Sequence, residues 1–360
     1  MLIRNINKPA PQPQAARGFT LIEFMVASSL GLVVLLAIGT TYGITARMRR
    51  AAEARVAVQQ DLRNASELIL RDAQMAGSFG CFNLGNMRPK VQQSADGQTG
   101  FVLPNTNNQV QILAANTEKT SGVYIVDANQ INNPGFPFTV EGQALIFTYG
   151  LHPVPLDVAQ NGAQTDGDVA PELRYAAGGI NRAGPLALAS CSSLYIEKSG
   201  LLMPAAPGNT GPLKIAINRV RTDKVTDSPG SFYLPQTALM QVETVLYAVG
   251  QGGNAPSRGF YRFTLQRNGA WGSPQLLAAN VTSMAVRSLY SGCTDKNSKP
   301  SFSTEFAAIN RDLTLSRRSL MPTSVEVRLT VPNDDNTYGN ISQYLIRANV
   351  RGGNVCANQY

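Results

Sequence analysis

One histidine, His152, and four cysteines, Cys81, Cys191, Cys293 and Cys356, bound the chemistry this chain could do. A nucleophile of the usual Ser-His or Cys-His kind needs an imidazole, and a His-based metal cluster needs more than one, so either would have to be built on His152. That residue stands in Leu151-His152-Pro153-Val154-Pro155, a loop-like context that points to a structural or exposed role. The cysteines are widely spaced with no C-x-x-C pair to suggest zinc or redox work. In an exported chain they read as two disulfides, with three pairings open. Two acidic loops, Asp166-Gly167-Asp168 and Asp334-Asp335-Asn336 before Tyr338-Gly339, lack the regular spacing and closing glutamate of a calcium loop and read as turns. Gly-Gln-Gly-Gly at 250–253 lacks the lysine and the strand-to-helix setting of a phosphate cradle, and reads as a hairpin turn. The expectation is a protein that is not an enzyme, with no cofactor and no metal.

The remaining residue of chemical interest is Glu23, because of where it stands. From 19 to 46 it is the sole charge in an apolar run longer than the roughly 20 residues a helix needs to cross a bilayer. A carboxylate well inside a bilayer costs about 2.5–3.5 kcal/mol on insertion scales, so Glu23 should have a partner. The run is too long for the core of a secretory signal, which does not carry an acid either. Arg4, Lys8 and Arg17 precede it and Arg47, Arg49 and Arg50 follow it, so charge counting does not orient the span. Residues 1–18, polar and rich in proline, read as a cytoplasmic tail, and hydropathy alone leaves a plain membrane anchor open.

These residues must be carried on a scaffold, and the pattern changes along the chain. Beyond Ala46 the run turns amphipathic without a break: Met48, Ala51, Ala54, Val58, Leu62, Ala65, Ile69, Ala73 and Ala76 recur at helical spacing, with Arg55, Gln59, Arg63 and Glu67 opposite. No proline interrupts 19–76, and Gly77 is a good stop. One helix over this stretch would be roughly 85 Å long at 1.5 Å per residue. After it come short β-like runs, at 110–114, 122–126, 144–149, 193–197, 213–218, 241–249, 259–266, 281–290, 323–331 and 343–350, with a hairpin over 241–266. Long polar segments between the earlier runs read as surface insertions. The fold class expected is α+β: a long N-terminal helix, apolar in its first half and amphipathic in its second, packed on an antiparallel sheet. The net charge of +8 is spread out apart from Arg47, Arg49 and Arg50, and nucleic-acid binding is not expected.

The order Gly18-Phe19-Thr20-Leu21-Ile22-Glu23, with Arg17 before it and the apolar run after it, resembles the class III signal of type IV pilins and type II secretion pseudopilins. LRNASELILRDAQMAGSFGCF at 62–82 and LALASCSSLYIEK at 186–198 resemble the PilW-like minor pilins. RGFYRFTLQ, LLAANVTSMAVRSLY and TSVEVRLTV then follow the strand order of that family and of the J-type pseudopilins. The resemblance covers both ends of the chain and is thin between 82 and 186.

It implies a pilin-like fold in three parts: a leader at 1–18, a helix at 19–77 whose 19–46 portion serves membrane and assembly, and a periplasmic β-rich head at 78–360. A prepilin peptidase would cut between Gly18 and Phe19 and methylate the Phe19 amine. Glu23 would meet that amine on a neighbouring subunit. Cys81 would pair with Cys191, leaving Cys293 with Cys356. The implied partners are other minor pilins, the major pilin, the inner-membrane assembly platform and a tip adhesin. The protein would wait in the inner membrane, then enter the pilus and promote its assembly near the tip. A J-type pseudopilin and a membrane-anchored periplasmic enzyme are the alternatives.

Overall fold

A computed structural model of the chain describes residues 18–85, 90–93, 101–102, 111–112, 122–132, 136, 138–158, 168–169, 171–173, 186–191, 193–197, 220–221, 232–233, 237–252, 255, 257–266, 271–292, 301–303, 321–331 and 343–351. The chain divides into two units, Met1–Ala54 and Arg55–Tyr360. In the first, the described residues are the opening of helix α1 (Leu21–Met75) and the three residues before it. Its large apolar side chains, from Phe19 to Ile44, are exposed.

In the second unit the rest of α1 lies on a sheet. Leu62, Ala65, Ile69 and Ala73, spaced as the amphipathic pattern requires, are completely buried. The helix gives way at Gly77, whose φ of +71° is a left-handed conformation that glycine adopts without strain. Its N–H then bonds the Thr148 carbonyl at 2.8 Å, and a Cβ placed on Gly122 would lie 2.0 Å from the Gly77 nitrogen. Glycine at both positions lets two backbones touch where the helix meets the sheet.

The principal strands are β1 (Lys90–Gln93), β2 (Val123–Asp127), β3 (Thr139–Val158), β4 (Leu186–Ala189), β5 (Ser193–Glu197), β6 (Ala238–Gln251), β7 (Gly259–Thr264), β8 (Gln275–Ala279), β9 (Ser283–Gly292), β10 (Ser324–Thr330) and β11 (Gln343–Asn349). They belong to one 13-stranded sheet among the described residues, in the order β11-β10-β9-β3-β6-β4-β5-β1, with β2 beside β3, β7 beside β6 and β8 beside β7. The expected α+β architecture is present. Most pairings are antiparallel, but β9 meets β3 and β5 meets β1 in parallel, which makes the sheet mixed.

β3 and β6 pair along most of their length and form its spine. Residues 144–149 and 244–250 are buried without alternation because both faces are covered. α1 covers one face. On the other, Phe138 packs edge-on against Tyr261 and Phe263, and Thr148 bonds Thr244 at 3.2 Å.

Several boundaries differ from the sequence reading for identifiable reasons. His152 is in strand, not loop: it lies within β3 at φ +52°, where Leu151 pairs with Gln241 and Val154 with Leu239, so His152 and Pro153 together oppose Met240. This is a β-bulge, a place where a strand tolerates proline. β4 is short and buried throughout, and so carries no alternation to read. β8, Gln-Leu-Leu-Ala-Ala, has helix-favouring residues and is held as strand by β7. The expected hairpin over 241–266 is β6–β7, with Gly250 opposite Gly259. Of 110–114, Gln111–Ile112 is strand, paired with Phe101–Val102, while 213–218 lies outside the described residues.

Candidate functional site

The start of α1 brings together Gly18, Phe19 and Glu23. Thr20 is the last residue before the helix, and its side chain stands where a cap belongs: the Glu23 N–H donates to Thr20 Oγ1 at 3.3 Å. In return Glu23 Oε2 accepts from the Thr20 N–H at 3.0 Å and from the Thr20 hydroxyl at 2.9 Å. This reciprocal arrangement is the capping box of a Thr-x-x-Glu sequence, and it satisfies amide donors that the first turn leaves without carbonyl partners. Glu23 thus has a partner inside its own chain, three residues away. The Thr-x-x-Glu spacing is visible in the sequence, whereas the one partner named from it, by resemblance, is the Phe19 amine of a neighbouring subunit.

Gly18 and Phe19 precede the cap, and Phe19 is 85 % exposed. A Cβ on Gly18 would meet nothing within 4 Å among the described residues, so their packing does not demand glycine there. The same is true of Gly31, Gly39 and Gly43. α1 holds one stretch long and apolar enough to cross a membrane, judged by length and composition. Its serine and threonine hydroxyls are satisfied within the helix: Ser28 donates to the Met25 carbonyl, Ser29 to Val26, Thr40 and Thr41 to Ala37, and Thr45 to Thr41, at 2.8–3.0 Å. A helix surrounded by hydrocarbon needs this internal satisfaction.

Residues 14–39 match the model of the prokaryotic N-terminal methylation motif. This chain carries a prepilin methylation signal. Over 71 residues it is also 41 % identical to the pilin-like protein PilA3 of Thermus thermophilus, a match covering 19 % of this chain and 30 % of that relative's length. No solved structure matches significantly. The signal and the relative together support a member of the type IV pilin family. The apolar helix and the signal fit a membrane-anchored pilin that ends up in a pilus.

A second polar cluster lies at the other end of α1. Asp72 is completely buried, in the same stripe as Ile69 and Ala73. Its Oδ1 accepts from the Tyr149 hydroxyl at 3.1 Å, and its Oδ2 from the Tyr247 hydroxyl at 2.5 Å and from Arg262 Nε at 3.2 Å. Arg262 Nη2 is 3.1 Å from the same oxygen, and the guanidinium, 13 % exposed, also reaches Thr264 and lies over the Tyr247 ring at 5.9 Å. Arg71 approaches Oδ1 from the solvent side at 3.5 Å.

Burial pushes the Tyr149 and Tyr247 phenols up, and the negative charge of Asp72 pushes the same way, so both remain hydrogen-bond donors. Burial opposes the charged form of Arg262, but Tyr247 and Asp72 outweigh it and hold the guanidinium above its ordinary value. Glu243, directly opposite Tyr149 in the register, is pushed up by burial, with Arg262 pulling it down and Asp72 adding to the rise. Sequence reading passed over this cluster, although an acid on the apolar stripe, three residues after Ile69 and seven after Ala65, was a legible signal.

Cys81 and Cys191 are joined in a disulfide across 110 residues, so the loop after α1 is tied to the end of β4. Cys293 and Cys356 lie outside the described residues, as do Asp166, Gly167 and the loop at 334–339. Asp168 begins a two-residue strand, Asp168–Val169.

Proposed function

We propose that this protein is a minor pilin of the PilW-like kind, processed by a prepilin peptidase and packed into a type IV pilus, where it promotes assembly near the tip. The observation that carries the reading is the methylation signal at 14–39 placed at the mouth of a helix that continues without interruption to Met75. Gly18, which no contact among the described residues requires to be glycine, suits a scissile position that a peptidase must approach closely. Cleavage after it makes Phe19 the N-terminal residue and the substrate for methylation, and keeps α1 whole.

Glu23 and Arg47 are about 36 Å apart along the helix at 1.5 Å per residue, against roughly 30 Å of hydrocarbon. The carboxylate therefore belongs near one face of the bilayer, not at its centre, and its insertion penalty falls accordingly. Both capping bonds use Oε2, and a carboxylate has a second oxygen. Glu23 can close its own helix and still meet the Phe19 amine of a neighbouring subunit. The further partners of the reading are the other minor pilins, the major pilin, the inner-membrane assembly platform and a tip adhesin, with the β-rich head in the periplasm before assembly.

The N-terminal mass of the mature protein is the direct test. N-methylated Phe19 is expected, and any other start overturns the reading. Gly18→Trp is expected to abolish processing, whereas Glu23→Ala should be processed yet excluded from pili. Recovery of the wild-type chain in sheared pili separates this reading from a type II secretion pseudopilin, whose deletion would instead impair secretion.

A further inference from the structure

We propose that Asp72 sets the axial register of helix α1 on the sheet, as a positioning residue acting through Tyr149, Tyr247 and Arg262. The face that α1 buries is made largely of small and aliphatic side chains, and apolar contact has no direction. Sliding the helix by one turn, about 5.4 Å, replaces Leu62 by Ser66, Ile69 by Ala73 and Asp72 by Ala76; the first two exchanges change volume and polarity without breaking a bond that has a direction, and the third removes the carboxylate from its donors. Asp72 is the stripe residue whose contacts are directional. Its two oxygens are divided between partners on β3 on one side and on β6 and β7 on the other. Tyr247 and Arg262 are themselves paired across β6 and β7, so the acceptor meets a preformed row of donors rather than three independent side chains.

A one-turn slip in either direction takes the Asp72 carboxylate away from its three donors and the buried guanidinium away from the carboxylate it bonds. Slipped states are therefore penalised from both sides of the contact, in the way a single polar residue specifies register in a coiled coil. The backbone bond from Gly77 to Thr148 acts at the end of the helix and competes with Asp72 as the register determinant.

The geometry stands apart from the pilin reading, and only its purpose rests on that reading: a subunit that enters an ordered filament must hold its helix and head at one fixed setting. The test uses the full-length chain in detergent micelles, with spin labels on noncanonical residues at Gln74 and Gln275. The wild type should give one narrow distance. Asp72→Leu combined with Arg262→Leu removes both charges and keeps the site apolar; it should unfold cooperatively yet show a broadened or second distance displaced by about one turn.

A single unchanged distance in that variant overturns the proposal and assigns register to the apolar stripe and Gly77. If the double variant does not fold, Asp72→Asn decides. A rise of at least tenfold in amide exchange over 62–76, with β10 and β11 unchanged, is expected, and unchanged exchange overturns the proposal. Neither measurement requires pili, so a chain absent from sheared pili would sink the pilin reading and leave the register result standing.

Discussion

The two ends of α1 handle a carboxylate in opposite ways. Glu23 is exposed and bonds a residue three positions away, so its environment is a property of the local chain. Asp72 has no exposure, and apart from the adjacent Arg71 its partners lie 77, 175 and 190 residues further along. The first carboxylate can be understood with only one turn of helix in hand. The second exists as a satisfied group only when three strands are in place. Elements that must change surroundings, from lipid to filament, can carry a locally satisfied acid anywhere, whereas an acid satisfied by tertiary contacts ties its helix to one setting.

That contrast can be broken by substitution. Asp72→Leu, made alone, strands the nearly buried Arg262 guanidinium and should destabilise the second unit by about 3–5 kcal/mol, read as a shift of the denaturant midpoint. Tyr247→Phe removes one donor from Oδ2 and should cost about 1–3 kcal/mol. It should also weaken the alkaline sensitivity of the fold. Because the folded phenol is pushed above the ordinary tyrosine value near 10, the native state holds more protons than the unfolded one above that pH, and stability falls as pH rises there.

Thr20→Ala removes one half of the capping box and should cost about 1 kcal/mol of helix stability, seen as fraying of the first turn by amide exchange, with the unfolding of the second unit unchanged. A shift in that unfolding would mean that the local end is not local. Glu243→Gln should have the smallest effect and the opposite sign. The folded carboxyl is pushed above its ordinary value, so its ionisation costs stability as pH rises through the window above about 4.5. The variant should melt slightly higher than wild type at pH 7, and the difference should close as pH falls through 4.5.

Much of the architecture was legible along the chain because it is periodic or punctuated locally. The 3.6-residue stripe, the absence of proline and Gly77 bound the helix, and β5, β10 and β11 lie within a residue or so of their expected limits. What escaped was decided by neighbours distant in sequence. β8 has a helical composition, and strand pairing overrides it. His152 sits between residues that suggest a turn, yet the bulge absorbs Pro153 within a long strand.

The same division holds for the candidate site. The methylation signal at residues 14–39 is a short linear pattern, which can be read along the chain without any fold. Gly18, Phe19 and Glu23 were therefore visible, and Thr20 was visible but unused. By itself the sequence determined the long helix, its apolar half and the signal at its mouth, because each depends on spacing within a few turns. Only the tertiary structure decided that Asp72 is satisfied and that Tyr149, Tyr247 and Arg262 converge on it. A buried charge is tolerated or ruinous according to partners that the chain order keeps far apart.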